Sequence, residues 1–217
     1  MRFHIITLFP NSFDSYLSES ILKRAIEDGK IRVHFYNPRD YTTDKNKRID
    51  RAPYGGGPGM VIQAEPVIKA LAAALKKVRS KRAAKIIWLE PSGKQFDTAY
   101  AKSVAKKLTD LIFICGRYEG IDARVKKAFK VEDVSVGPFV LTGGELPAMI
   151  MIDCIGRQVP GVLGDIASLE ETRVASPDVY TRPPEIKYKR KILKVPKVLL
   201  SGHHKNIEEW RAKRSGR

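Results

Sequence analysis

Short hydrophobic runs alternate with amphipathic stretches through the first 157 residues of the chain. Apolar runs of four to eight residues between turn signals are typical of buried strands, whereas apolar positions three and four apart indicate helices. The pattern predicts strands at Phe3–Leu8, Ile31–Tyr36, Lys85–Leu89, Leu111–Cys115 and Val131–Val136. It predicts helices at 12–27, after Glu65-Pro66, at 97–108, at 121–129 and at Glu145–Arg157.

This alternation of strands and helices predicts an α/β domain over residues 1–160, with a parallel sheet covered by helices on both faces. The pattern weakens after Pro160-Gly161, and prolines are frequent over residues 161–185, which we interpret as a linker. A short basic C-terminal segment, 186–217, follows and is predicted to end in a helix over 205–214. Open parallel sheets bind ligands beyond the carboxyl ends of their strands, so a site is expected there.

Composition indicates a folded protein, because 43% of the 217 residues are hydrophobic and 29% are charged. No apolar run approaches the roughly 20 residues of a membrane-spanning helix, and the N-terminus lacks the features of a signal peptide. Cys115 and Cys154 are the two cysteines and show no metal-ligand spacing. A reducing, cytoplasmic location without membrane partners is therefore expected.

The net charge of +16 favours a polyanionic partner, most often a nucleic acid. Residues 181–217 alone hold twelve Lys or Arg and three Glu. A second basic cluster comprises Lys76, Lys77, Arg79, Lys81, Arg82 and Lys85. From charge alone, a basic surface that only keeps the protein soluble is an equally consistent interpretation.

Four loops are rich in glycine, which allows a ligand to approach the backbone closely. They are residues 54–59, 115–120, 136–139 and 141–145, and two of them follow predicted strands. None fits the P-loop pattern or the Gly-x-Gly-x-x-Gly pattern after a first strand, so ATPase and dehydrogenase functions are disfavoured. Several glycine loops at strand ends favour a ligand site over simple tight turns.

Three segments resemble one known family: Pro53–Met60, Cys115–Asp122 and Leu141–Ala148. The segments Pro160–Gly164, Tyr180–Pro183 and Leu199–His203 extend the likeness in the same order. The chain is similar to the bacterial tRNA (guanine-N1)-methyltransferases of the SPOUT class. This resemblance implies a trefoil-knotted fold, a homodimer, and transfer of a methyl group from S-adenosylmethionine to N1 of guanosine at tRNA position 37. The family also uses magnesium, although the residues show no dedicated metal site.

The resemblance assigns methyl-donor binding to residues in three loops. These are Leu89, Pro91, Gly93, Gly116, Tyr118, Ser135, Val136, Gly137, Pro138, Phe139, Val140, Leu141, Gly143, Gly144 and Pro147. Pro138 and Phe139 replace a more usual Asp-Tyr pair. The resemblance places Glu119, Tyr54, Gly55, Arg182, Ser201 and His203 on the tRNA side. Family members usually continue past Trp210 as a helical domain, so tRNA contact here is expected to depend on the basic tail and the dimer partner.

Methylation of guanine N1 requires a carboxylate that removes the N1 proton and a cation that stabilises charge on O6. Arg157 matches the family's arginine. The family's catalytic aspartate aligns with Thr172, which cannot act as a base at neutral pH. A displacement by one residue in this loop makes Glu171 the first candidate and Glu170 the second, with Asp165 and Asp178 as remote alternatives. The missing aspartate also leaves open a non-catalytic RNA-binding protein on the same fold, or an enzyme with another RNA target.

Overall fold

The computed structural model describes residues 1–164 and 178–214. The chain forms two compact units, Met1–Leu163 and Gly164–Arg217. Within the described residues, every helix is too short or too polar to cross a bilayer. Cys115 and Cys154 form no disulfide in this part of the chain.

The first unit is built on a five-stranded parallel sheet, which confirms the predicted α/β class. Its strands are β1 (Arg2–Ile6), β2 (Arg32–Tyr36), β5 (Ala84–Gln95), β6 (Asp110–Ile114) and β7 (Glu132–Ser135), in the order β2-β1-β6-β5-β7. Two short strands, β3 (Asp50–Arg51) and β4 (Val61–Ile62), pair separately in antiparallel fashion. The trefoil knot that the family resemblance implies stays a prediction.

Helices cover both faces of the sheet, as predicted. The helices of this unit are α1 (Asp14–Leu17), α2 (Ser20–Glu27), α3 (Ala64–Lys77), α4 (Thr98–Lys107), α5 (Arg124–Ala128) and α6 (Glu145–Gly156). Alternate residues of β1 face opposite cores. Phe3 and Ile5 pack with residues of α1, α2, α4 and α6, whereas Ile6 packs with residues of α3 and α5.

The prediction of one continuous helix over residues 12–27 is wrong, because this segment forms two separate helices. A 3-10 turn at Pro10–Phe13 leads into α1, and α2 begins at Ser20, whose φ of 50° lies in the left-handed region. An unbroken helix would turn Ile21 toward the face that carries Leu17, because residues four apart share a face. The break buries Leu22 instead and leaves Ile21 38% exposed, so the two short helices can both pack against the core.

Strand β5 continues past the predicted end at Leu89 through an irregular segment that contains Pro91 and Gly93. Leu89 and Lys94 both pair with Val134 of β7, so the residues between them bulge out of the ladder. A Cβ on Gly93 would lie 2.5 Å from the Asp133 carbonyl carbon. Glycine is therefore required where the two strands approach. The Pro-Ser-Gly sequence resembles a turn, which explains why the extension is not predicted.

The second unit contains a β-hairpin and two helices. The hairpin strands are β8 (Glu185–Tyr188) and β9 (Lys191–Lys194), and the helices are α7 (Lys197–Leu200) and α8 (His204–Arg214). The helix predicted over 205–214 is confirmed. The hairpin is missed because all eight of its residues are exposed, so its strands show no buried face in the sequence. Much of the predicted linker, residues 165–177, lies outside the described residues.

Candidate active site

A cavity of about 450 Å³ opens at the carboxyl edge of the sheet, where β5, β6 and β7 lead into loops. This volume lies within the roughly 300–1,000 Å³ typical of sites for small molecules and cofactors. The walls come from the end of β5, the loops after β6 and β7, and the start of α6. Open parallel sheets bind their ligands at this position.

Most residues that the family resemblance assigns to the methyl donor line this cavity. They are Leu89, Pro91, Gly116, Tyr118, Ser135, Val136, Gly137, Phe139, Val140, Leu141, Gly143, Gly144 and Pro147. Gly93 and Pro138 are not among the lining residues, and Gly93 packs against β7 instead. The fold therefore brings three separate loops to one cavity, while the role of each residue in donor binding stays a prediction.

Glycines hold the loop after β6 against the start of α6. The Gly144 amide donates a hydrogen bond to the Gly116 carbonyl at 3.0 Å, and Arg117 pairs with Gly143 in an isolated β-bridge. A Cβ on Gly144 would lie 2.6 Å from the Cys115 Cα. Because only glycine permits this approach, Gly144 fixes the spacing of the two walls.

A buried carboxylate fastens the same two segments. The side chain of Glu145 is almost fully buried, and its Oε1 accepts a hydrogen bond from the Thr7 hydroxyl at 2.8 Å. Its Oε2 accepts from Nε of Arg117 at 3.1 Å, and Nη1 of Arg117 donates to the Thr142 carbonyl at 3.2 Å. A buried charge needs such partners. Glu145, at the start of α6, therefore connects the residue after β1 with the loop after β6 and, through Arg117, with the loop after β7.

The loop after β7 is shaped by its own contacts. The Ser135 hydroxyl donates to the Gly137 carbonyl at 2.9 Å and accepts from the Gly137 amide at 3.2 Å. The Phe139 ring occupies the space that a Cβ on Gly137 would need. Phe139, one of the two departures from the usual family sequence, thus packs on the backbone of its own loop. It remains 50% exposed, and Val140 beside it is 83% exposed.

Several lining residues are absent from the sequence prediction: Trp88, Glu90, Arg117, Gly120, Ile121, Ala123, Lys126, Val134 and Thr142. Lys126 contacts Glu90 at 3.0 Å and Asp133 at 2.8 Å, and its Nζ lies 4.7 Å from the centroid of the Trp88 ring. Burial lowers the pKa of Lys126, but hydrogen bonds to Asp133 and Glu90 raise it overall. The position of Glu90 directly after a predicted strand is the one sequence signal for this wall.

Glu119, predicted to lie on the tRNA side, also lines the cavity. Its amide donates to the Met60 carbonyl at 3.0 Å, and its Oε1 lies 2.5 Å from the position of a Cβ on Gly59. The glycine loop of residues 54–59 therefore borders the cavity through Glu119. Tyr54 and Gly55 are exposed and do not line it.

Arg157 lies beyond the last residue of α6, at the opposite end of this helix from the cavity. A rise of 1.5 Å per residue separates the ends of this helix by about 18 Å. Leu146 and Ile150 lie on the same face of α6 as Arg157 and are 55% and 46% exposed. The fold of this chain does not bring Arg157 to the cavity.

The remaining predicted residues lie elsewhere. Glu170, Glu171 and Asp165 fall outside the described residues. Arg182, Ser201 and His203 are exposed residues of the second unit, where the Ser201 hydroxyl donates to the Val198 carbonyl at 2.7 Å. Over residues 1–164 and 178–214, no three His, Cys, Asp or Glu side chains are placed to share a metal ion.

Comparison with known proteins identifies the family of this chain. The family model described as "tRNA (Guanine-1)-methyltransferase TrmD" matches residues 1–217. A tRNA (guanine-N(1)-)-methyltransferase of Clostridioides difficile (strain 630) is 46% identical over 99% of this chain and 92% of its own length. Enzymes of the same name from Geobacter sulfurreducens and Carboxydothermus hydrogenoformans are each 46% identical over 99% of this chain, which covers 86% and 83% of their lengths. This chain belongs to the tRNA (guanine-1)-methyltransferase family.

Proposed function

We propose that the protein transfers a methyl group from S-adenosylmethionine to N1 of guanosine at position 37 of tRNA, next to the anticodon. The observation that supports this most directly is the cavity at the carboxyl edge of the sheet, in a chain that belongs to this family throughout its length. The cytoplasm is the proposed location, because tRNA is the substrate and the two cysteines form no disulfide.

The chemistry of the cavity suits the methyl donor. Bound S-adenosylmethionine supplies an activated methyl group on a sulfonium centre. Backbone amide and carbonyl groups of residues 135–141 and of the loop after β6 can read an adenine, since the glycines there allow close approach. Glu90 and Glu119 add carboxylates to the wall, where they can accept hydrogen bonds from hydroxyl or ammonium groups.

On the acceptor side, the task of the protein is to remove the guanine N1 proton. We assign this to the Glu171 carboxylate, with Glu170 as the second candidate, because a carboxylate is ionised at neutral pH and Thr172 offers only a hydroxyl. The guanidinium of Arg157 would donate hydrogen bonds to O6 as negative charge develops there.

The position of Arg157 favours a homodimer. Within one copy of the chain, Arg157 lies the length of α6 away from the donor cavity. Antiparallel packing of α6 on a second copy would place the Arg157 of each copy beside the cavity of the other. The exposed Leu146 and Ile150 on this face, together with Phe139 and Val140 at the cavity mouth, supply the apolar surface that such packing would bury.

Binding of tRNA is assigned mainly to residues 186–217. The β8–β9 hairpin is exposed and carries Lys187, Lys189, Arg190, Lys191 and Lys194, which suit contacts with RNA phosphates. We further propose that Arg182, Ser201 and His203 act on this side. Magnesium stays a family-based proposal. Acidic side chains do not cluster as a cage in the described residues, so the ion would be held largely by water and RNA phosphates, and no step is derived through it.

The decisive experiment measures methylated guanosine by mass spectrometry of tRNA nucleosides, with Glu171→Gln and Glu170→Gln as matched variants. Glu171→Gln should lower turnover about 100-fold or more, because it removes the base and keeps the size of the side chain. Glu170→Gln should have a much smaller effect, and calorimetry should give the wild-type affinity for the methyl donor in both. If both variants turn over at the native rate, Glu171 is not the base. A wild-type protein that binds tRNA without methylating it would favour the non-catalytic alternative.

A subunit-mixing experiment tests the shared site. Arg157→Ala removes the arginine. Gly137→Val disrupts the loop after β7, because the added side chain would displace the Phe139 ring. Each variant alone should be inactive. Random mixing in a shared-site dimer places one intact Arg157 beside one intact cavity in half of the dimers, so about a quarter of wild-type activity should return. Absence of recovery in mixed dimers would contradict a site built from two protomers.

A further inference from the structure

A second cavity, of about 160 Å³, lies at the amino edge of the sheet, where the parallel strands begin. It is lined by Met1, Arg2, Gly29, Arg32, Arg79, Ala105, Leu108, Thr109 and Val159. None of these residues lines the cavity at the carboxyl edge. The volume is well below the roughly 300–1,000 Å³ of sites for whole cofactors, so it fits a single small group.

The charge around this cavity is strongly positive. Arg2 is paired with the buried Asp110, through Nε at 2.8 Å and Nη2 at 3.1 Å. Asp28, which precedes the lining residue Gly29, is paired with Lys30 at 2.9 Å. Arg32 and Arg79 are exposed and form no ion pair among the described residues. Two arginine charges therefore remain uncompensated beside one small cavity.

The Met1 amino group lies in the same positive electrostatic field. Burial lowers its pKa, and the positive charge of Arg79 lowers it further, while Asp110 acts in the opposite direction. The charges of the arginines thus act on the groups that line the cavity. An anion there would relieve this repulsion.

Helix ends do not account for these arginines. Helices α3 and α4 end at this edge, and each carries two lysines in its last turn, which is where cations stabilise the helix dipole. Arg2 and Arg32 instead begin strands β1 and β2, and Arg79 lies in the connection after α3. Arg79 also belongs to the basic cluster of residues 76–85, to which the methyl-transfer reaction gives no role.

We propose that this cavity binds a phosphate group, held by the guanidinium groups of Arg32 and Arg79, with Arg2 as a third arginine in the lining. Guanidinium groups bind phosphate through paired, charge-assisted hydrogen bonds. The phosphate belongs either to an RNA backbone or to a small phosphorylated compound. Both sources present the same chemistry to the arginines.

Titration of the full-length protein with inorganic phosphate, by calorimetry at low ionic strength, tests the site. The double variant Arg32→Gln/Arg79→Gln should weaken phosphate binding about tenfold or more, because both uncompensated charges are lost. The matched control Lys23→Gln/Lys102→Gln removes the same charge from exposed helical positions and should leave the phosphate affinity unchanged. Unchanged affinity for the methyl donor would verify that both variants are folded. The proposal is overturned if the wild-type protein shows no saturable binding, or if the two double variants lose it equally.

Affinity for tRNA as a function of salt then identifies the source of the phosphate. If it belongs to RNA, Arg32→Gln/Arg79→Gln should weaken tRNA binding and reduce the slope of log affinity against log salt by about one to two, whereas the control should not. If only inorganic phosphate binding is lost, the site serves a small phosphorylated compound. Both results support a phosphate site. If the double variant keeps both its phosphate affinity and its tRNA affinity, the proposal is contradicted.

Discussion

The two edges of the central sheet differ in how their cavities are built. At the carboxyl edge, glycines let the loops approach one another, charged side chains such as Glu90 and Lys126 share the lining with apolar ones, and the buried Glu145 joins the loops behind the cavity. At the amino edge, charged side chains dominate. There Asp110 is fully buried and binds Arg2, the His4 ring at 3.0 Å and the Thr109 hydroxyl at 2.8 Å.

This difference follows from the direction of the strands. All five run parallel, so helices begin near the carboxyl edge and end near the amino edge. Recognition through backbone tolerates many side chains but fails wherever a Cβ would intrude, as at Gly144. Recognition through charged side chains tolerates added carbon atoms but fails when one charge is removed. The two edges should therefore respond to different kinds of substitution.

The largest effect on stability is expected from Asp110→Ala at the amino edge. This change leaves Arg2 beside a buried space without its carboxylate and removes the acceptor for His4, which should lower the free energy of unfolding by about 3–5 kcal/mol. Urea denaturation of the first unit can be followed by Trp88 fluorescence in a Trp210→Phe background. Asp14→Ala, on an exposed residue, should change stability by less than about 0.5 kcal/mol. Equal effects of the two substitutions would contradict the role of Asp110.

Glu145→Gln should affect both the stability of the protein and the cavity at the carboxyl edge. The amide can still accept from Thr7, but the charge that fixes Arg117 is lost, so the two cavity walls separate. We expect a loss of about 2 kcal/mol in stability and a weakening of methyl-donor affinity of about tenfold. Calorimetry with S-adenosylmethionine measures the second effect. In contrast, Asp110→Ala should leave donor affinity unchanged in the folded protein, and a shared response would remove the distinction between the edges.

Gly93→Ala tests the requirement for glycine where β5 passes β7. The added Cβ would overlap the backbone at Asp133, and the resulting shift should cost about 1–3 kcal/mol of stability. Gly164→Ala is the matched control, because no atom of the described residues lies within 4 Å of its Cβ position and its φ is not in the left-handed region. In thermal denaturation, Gly93→Ala should have a lower midpoint than the wild type, and Gly164→Ala should not. Equal midpoints for the two variants would contradict the close approach.

The smallest effect is a pH dependence at the amino edge. Burial lowers the pKa of His4, against the opposing hydrogen bond to Asp110, and burial also lowers the pKa of the neighbouring His34. The unfolded chain therefore takes up protons first, so stability should fall as pH drops below about 6.5, by at most about 1.4 kcal/mol per pH unit for each histidine. His4→Gln should flatten the dependence of unfolding free energy on pH between about 6.5 and 5.5. An unchanged slope would show that protonation of His4 does not contribute to the pH dependence of stability.

The strands are most predictable from the sequence where burial is complete. Residues Leu111–Ile114 are buried on both faces of the sheet, so their continuous apolar run has one reasonable interpretation. The break before Ser20 could not be predicted, because 12–27 reads locally as one amphipathic helix and only packing reveals the change of face. The β8–β9 hairpin has no buried face to produce a pattern.

The loops of the candidate site are predictable from the sequence, but the tertiary contacts that hold these loops in place are not. Glycine-rich segments at strand ends are visible along the chain, and the family resemblance assigns them. The hydrogen bond from Thr7 to Glu145 joins residues 138 apart, and nothing in the sequence around either residue indicates it. Likewise, the pairing of Lys126 with Glu90 depends on the neighbouring positions of β5 and the chain before β7. Tertiary contacts of this kind have no local signature.

The strand order also affects how the protein is made. Strand β1 lies between β2 and β6, so the register of Arg2 with Asp110 joins the first strand to one more than a hundred residues later. A ribosome adds roughly 5–20 residues per second, so β1 waits about 5–20 s before its second neighbour exists. During this interval Phe3 and Ile5, which become fully buried, lack much of their final cover. Non-local pairing of this kind slows folding and prolongs the exposure of apolar strands. Translation of the stretch between β2 and β6 is therefore the step at which the nascent protein most needs protection from aggregation.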